Sequence, residues 1–112
     1  MKTTALAIAA VLMVATSASA AEPVVGNWTT ASGETAKIAP CGGAYCITLL
    51  TGIAKGRQIG KMSGSGTNYS GDITDPKTEK TYAGSAKVTG ASLKLTGCAL
   101  KIFCKSQTWS RQ

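Results

Sequence analysis

Four cysteines, five acidic residues and not one histidine bound the chemistry open to this 112-residue chain. Without imidazole there is no Ser-His-Asp or Cys-His arrangement, and the commonest general base and neutral metal ligand are both missing. The acids are Glu22, Glu34, Asp72, Asp75 and Glu79. Asp72 and Asp75 could form a carboxylate pair, but "GDITDPKT" reads as a strand running into a turn. There Asp75 hydrogen-bonds its own backbone ahead of Pro76. No motif marks a Ser-Lys dyad, and the expectation is a protein that is not an enzyme.

The cysteines are spaced C-x4-C (Cys41, Cys46) and C-x5-C (Cys98, Cys104). Structural zinc knuckles use C-x2-C, usually with histidine available, and thiol redox enzymes also use C-x-x-C. No metal and no cofactor is therefore expected. "GSGTNYSG" is glycine-rich but lacks the strand-to-helix setting and the lysine of a phosphate loop, so it reads as a flexible connection. Tyr45, Tyr69, Tyr82 and Phe103 are the aromatics that could stack on bases or sugars. Alternation along the chain instead turns Tyr45 and Tyr82 inward.

The net charge is +7, from 12 basic and 5 acidic side chains. Apart from Lys2, those basic residues are dispersed from Lys37 to Arg111 with no dense run, so the charge reads first as solubility. No nucleic-acid partner is expected; an anionic envelope component is the partner such a charge would favour.

The first twenty residues, "MKTTALAIAAVLMVATSASA", join a positive Lys2, an apolar run from Ala5 to Ala15 and a small-residue site at Ala18-Ser19-Ala20. That is the pattern of a signal peptide over residues 1–20, cut after Ala20. Its apolar run is shorter than the roughly twenty residues a bilayer-spanning helix needs. Residues 21–112 then form one small domain in the periplasm or outside the cell, not spanning the membrane. In such a compartment four cysteines read as two disulfides, which a small core needs.

The elements that would carry these residues are short. Turn signals recur at Ser32-Gly33, Cys41-Gly42-Gly43, Gly64-Ser65-Gly66, Asp75-Pro76 and Thr89-Gly90, and no stretch holds a helical period. Eight strands are expected near 24–31, 35–40, 45–51, 57–62, 67–74, 79–88, 91–97 and 104–110. The fourth is the weakest, because "GIAKGRQIGKMSGSG" could equally be a loop. Short consecutive strands joined by tight turns describe an all-β, antiparallel up-and-down meander, which closes most easily into a small barrel.

Register can be tested, because core residues must face core residues. A two-residue turn at Thr89-Gly90 pairs Val88 with Ala91, Ala86 with Leu93 and Gly84 with Leu95. Lys87 and Ser85 then share a wet face with Ser92 and Lys94. A Cys41–Cys46 bridge across "CGGAYC" sets Pro40 opposite Ile47, Ile38 opposite Leu49 and Ala36 opposite Thr51. A Cys98–Cys104 bridge across "CALKIFC" sets Leu93 opposite Trp109 and Leu95 opposite Gln107. Both keep sulfur outside and larger apolar residues inside, which favours local pairing over the two other connectivities that four cysteines allow. The expected interior, and hence the candidate ligand-facing set, is Ile38, Tyr45, Ile47, Leu49, Tyr82, Ala86, Leu93, Leu95 and Trp109.

"GNWTT", "AKIAPCGGAYC", "ITDPKTEKTYAGSAKV", "LKLTGCAL" and "SQTWSRQ" resemble a bacterial exported family, the domain of unknown function twenty-one forty-seven. The likeness extends over the whole of residues 21–112, although "TGIAKGRQIGKMSGSG" is shorter than the segment members usually carry there. It implies a lipocalin-like barrel and no established activity. In barrels of that type a G-x-W on the first strand packs beneath an arginine from the last, which here means Gly26, Trp28 and Arg111. The guanidinium would lie over the indole and tie the first strand to the eighth. For Trp28 to face inward, a bulged three-residue loop around Ser32-Gly33, pairing Trp28 with Ile38 and Thr30 with Ala36, is favoured over a two-residue turn.

The functional expectation is a non-enzymatic barrel holding a small apolar or amphiphilic envelope molecule, with small inward residues Ala36, Gly84 and Ala86 leaving room. The second reading is a filled barrel whose basic outer face meets an anionic envelope component or a protein partner. Intact mass of the exported protein should show loss of residues 1–20 and no thiol open to alkylation without prior reduction; an unprocessed or alkylatable product contradicts this.

Overall fold

Glycine-bearing turns and two-residue alternation dominate residues 22–112, and the structure follows both. A computed structural model describes residues 22–99 and 103–112. Residues 1–20, read above as a signal peptide, lie outside the described residues. The strands are β1 (Gly26–Thr29), β2 (Thr35–Cys41), β3 (Ala44–Leu49), β4 (Gln58–Ser65), β5 (Asn68–Asp75), β6 (Lys80–Thr89), β7 (Ser92–Ala99) and β8 (Phe103–Arg111). Each pairs antiparallel with its neighbours, and β1 pairs with β8, so the sheet is a closed barrel. It is the all-β, eight-stranded up-and-down architecture expected from the turn spacing.

Inward positions are mostly apolar, Lys105 and Gln107 on β8 excepted, and outward ones mostly polar, the arrangement of a barrel in water. Trp28, Ala36, Ile38, Ile47, Leu93 and Trp109 are buried, while Lys37, Lys61, Lys87 and Lys94 are exposed. Among the described residues no helix is long and apolar enough to cross a membrane. Cys41 is bonded to Cys46 and Cys98 to Cys104. Disulfides of this kind suit an oxidising, extracytoplasmic compartment.

Three hairpins differ from the expected register, each by two residues. Trp28 lies opposite Ala36, not Ile38. The loop is the expected three-residue one, Ala31 to Gly33, with Gly33 in the left-handed region at φ 94°. It closes directly on Thr30 and Glu34, whose backbones bond at 2.8 Å, and Thr30 does not reach Ala36. Next, Cys41 lies opposite Ala44, which makes Gly42-Gly43 the two turn residues; both have positive φ, as a type I′ turn requires. Ile38 therefore faces Ile47 rather than Leu49, Pro40 faces Tyr45 and Ala36 faces Leu49. The Cys41–Cys46 bridge runs diagonally across the ladder, over a Cα separation of 5.8 Å. In the third case the turn is Gly90-Ala91, so Val88 faces Leu93, Ala86 faces Leu95 and Gly84 faces Gly97. Because side chains alternate with period two, a shift of two leaves every residue on its expected face. The β7–β8 register is as expected, with Leu93 opposite Trp109 and Leu95 opposite Gln107.

"GSGTNYSG" is not a loose connection: β4 runs to Ser65, β5 begins at Asn68, and only Gly66-Thr67 turn between them. The fourth strand was hard to read because it bulges. Its register against β3 slips between Ile47 and Thr48, leaving Ile59 and Gly60 both buried and breaking the alternation.

One end of the barrel is packed shut. The Arg111 guanidinium carbon lies 4.2 Å from the Trp28 ring centroid. The same guanidinium donates to the Val25 carbonyl at 3.3 Å and to that of Pro23, and the Trp28 indole N–H donates to the Val24 carbonyl at 3.0 Å. Residues 22–25 are thereby drawn across the opening, with Val24 buried. Glu22 accepts from the Gly66 N–H at 3.0 Å on the far side. Trp28→Ala should cost about 3–5 kcal/mol, as large-to-small core changes do, and Arg111→Met about 1–2 kcal/mol for the lost cation–π contact. Chemical denaturation reads both; a fully stable Trp28→Ala variant contradicts the closure role.

Candidate functional site

The other end, to which the β1–β2, β3–β4 and β5–β6 connections run, is open among the described residues. A cavity of about 870 Å³ enters there and stops at the packed half of the barrel. Its walls are built from inward positions on β3 to β8: Leu49, Ile59, Ile73, Tyr82, Leu95 and Trp109. Volume of this order lies within the usual range for small-molecule sites, roughly 300–1,000 Å³.

The expected ligand-facing residues divide between the two halves. Leu49, Tyr82, Leu95 and Trp109 line the cavity. Ile38, Tyr45, Ile47, Ala86 and Leu93 belong instead to the packed half; Tyr45 meets Tyr69 edge-on, with ring centroids 5.6 Å apart. Burial holds the Tyr69 phenol above its usual pKa, and its neutral O–H donates to the Gly66 carbonyl at 2.8 Å. Gly84 does not leave the room expected of it, because the Ile73 side chain covers it: a Cβ there would come within 2.5 Å of Ile73. Of the aromatics considered for stacking, Phe103 alone is exposed, at 66%.

Several cavity residues were not anticipated. Ile59 is hidden by the bulge, and Ile53 lies in a loop with no pattern to mark it. Ile53 is fully exposed, and with Phe103 it places apolar surface on the rim of the cavity. Lys105 and Gln107 were legible in principle, since they alternate with Trp109 along β8 and so share its inward face.

The rim is braced by polar contacts. Glu34 accepts from the Ser32 hydroxyl and from the Thr30 hydroxyl at 3.1 Å, and these bonds, with Lys77 nearby, hold its carboxyl below the usual carboxylate range. Arg57, just before β4, forms a two-pronged ion pair with Glu79 in the β5–β6 turn. It lowers the Glu79 pKa in the same way. Asp75 accepts from the Lys77 backbone N–H at 2.8 Å, the self-bonded turn expected ahead of Pro76. Asp72 points outward, opposite Lys61, so the two aspartates do not share a site. Among the described residues no cluster of His, Cys, Asp or Glu could hold a metal ion.

These features define a class: a closed, eight-stranded antiparallel barrel in water, sealed at one end and opening at the other into an apolar cup. A family described as an uncharacterized protein conserved in bacteria (DUF2147) matches residues 48–111, and the chain belongs to it. The match runs from the end of β3 to the end of β8, leaving the Trp28 strand and the first disulfide outside it. No curated protein and no solved structure matches the chain.

Both depressed carboxyls bind fewer protons folded than unfolded. Their stabilisation is present above the ordinary glutamate pKa and is lost as pH falls through their lowered values. The melting temperature should therefore drop on acidification from the ordinary glutamate range downward, and Glu34→Gln with Glu79→Gln should flatten that drop. An unchanged pH profile in the double variant would contradict the assignment.

Proposed function

We propose that this chain is a non-enzymatic, exported barrel that carries a small apolar or amphiphilic envelope molecule in its open cup. The observation that carries this reading is the dead-end apolar cavity, about 870 Å³, with Ile53 and Phe103 presented at its mouth. Apolar side chains held in water at a cavity rim cost solvation free energy, and a ligand crossing that rim covers them. The signal-peptide pattern of residues 1–20, with its cut after Ala20, and the two disulfides support a periplasmic or secreted location.

A second reading, a basic surface meeting an anionic envelope component, draws on Lys87 and Lys94. These lie directly opposite one another on the outer face of β6 and β7, both exposed. Like charges so placed repel, and an anion between them would relieve that cost. It predicts retention on lipopolysaccharide that fades as salt rises.

Gly97 permits a clean test of the cup. It lines the cavity without a positive φ, and a Cβ there would meet only Tyr82, at 3.6 Å. Gly97→Leu should fill the cup with little change in melting temperature. Native mass spectrometry of envelope-purified protein should find a co-purifying small molecule that the variant lacks. A ligand retained by Gly97→Leu, or none in either protein, counts against the cup.

A further inference from the structure

Along β8 the cup-facing residues change character step by step: Phe103 at the rim, then Lys105, Gln107 and buried Trp109. The carboxylates near the mouth are already engaged. Glu34 is held by Thr30 and Ser32, Asp75 by the Lys77 backbone and Glu79 by Arg57. Among the described residues Lys105 is in no ion pair. Its cross-strand partner is Gly97, which has no side chain to occupy the ammonium. Gln107 is oriented from below: its Oε1 accepts from the Trp109 indole N–H at 3.0 Å. That bond leaves the amide NH2 as the group free to donate. Two donors, one charged, thus stand two residues apart on one strand face, about 7 Å along the chain.

We propose that the cup binds a single-chain carboxylate, its head group between Lys105 Nζ and Gln107 Nε2 and its chain against Ile59, Ile73 and Tyr82. This rests on the cup being a ligand site. Lys77 also lines the cavity, from the β5–β6 turn, but the β8 face itself presents one ammonium and one amide, a pair that matches a monoanion. A phosphate monoester carries close to two charges at neutral pH and is commonly met by a guanidinium fork, and no arginine lines this cavity. The apolar wall takes the chain, and the charged pair fixes which end lies toward solvent.

Calorimetric titration at neutral pH with dodecanoate, dodecanol and dodecyl phosphate tests the assignment. Dodecanoate should bind about tenfold tighter than dodecanol, the usual worth of a hydrogen-bonded charge. Lys105→Met should abolish that preference while leaving dodecanol affinity and melting temperature unchanged, and Gln107→Leu should reduce it. Equal binding of acid and alcohol by the unaltered protein, or a preference that survives Lys105→Met, overturns the proposal and leaves the cup standing. Dodecyl phosphate binding as tightly as dodecanoate overturns the carboxylate assignment. If dodecanol and dodecanoate both fail to bind, the cup reading falls with it.

Discussion

A barrel exists only if its first and last strands meet, and here that meeting is narrow. β1 has four residues, and only Trp28 and Thr29 pair across to β8, opposite Arg111 and Ser110. So short a ladder is weak closure by itself. The Arg111 guanidinium, stacked on the Trp28 indole and bonded to the carbonyls of Pro23 and Val25, adds a second layer of attachment beneath it. Gln112 extends the seam, its backbone N–H reaching the Asn27 carbonyl at 3.0 Å and its amide the Thr35 hydroxyl at 2.7 Å. The rest of the sheet depends on that seam, because an open edge would expose unpaired backbone groups.

The same contact makes the two ends of the molecule unlike. Pulling residues 22–25 over one opening buries Val24 and brings Glu22 to the Gly66 turn, so that half fills with side chains. At the other end the β1–β2, β3–β4 and β5–β6 connections lie around the rim of the cavity. Two of them are tied together by Arg57 and Glu79, and the β1–β2 loop is stiffened by Glu34. An interior this narrow can be filled or hold one small ligand. This barrel does each in one half.

Much of this was legible in the residues. Eight strands and their inward faces follow from turn spacing and alternation, which also favour the two cysteine pairings, because a two-residue period leaves little freedom over which side chains share a face. Ile38 and Leu93 were placed inside for that reason, and they are buried. The candidate site was half legible. Leu49, Tyr82, Leu95 and Trp109 line the cup, but Ile38, Ile47 and Leu93 share their pattern and lie in the packed half. Alternation reports inside or outside, and carries no information on height along the barrel axis.

The Trp28 and Arg111 contact shows where local reading ends. The two residues were singled out as a closing pair from resemblance alone, since they stand near opposite ends of the chain. By itself the sequence determined the strand count and the face each side chain takes. Only the tertiary structure decided the hairpin registers, the bulge at Ile59 and which end of the barrel stays open. The physical reason is common to all three. A shift of two residues leaves every face unchanged, so only turn closure and the packing of distant strands can choose between such registers and set where the core runs out.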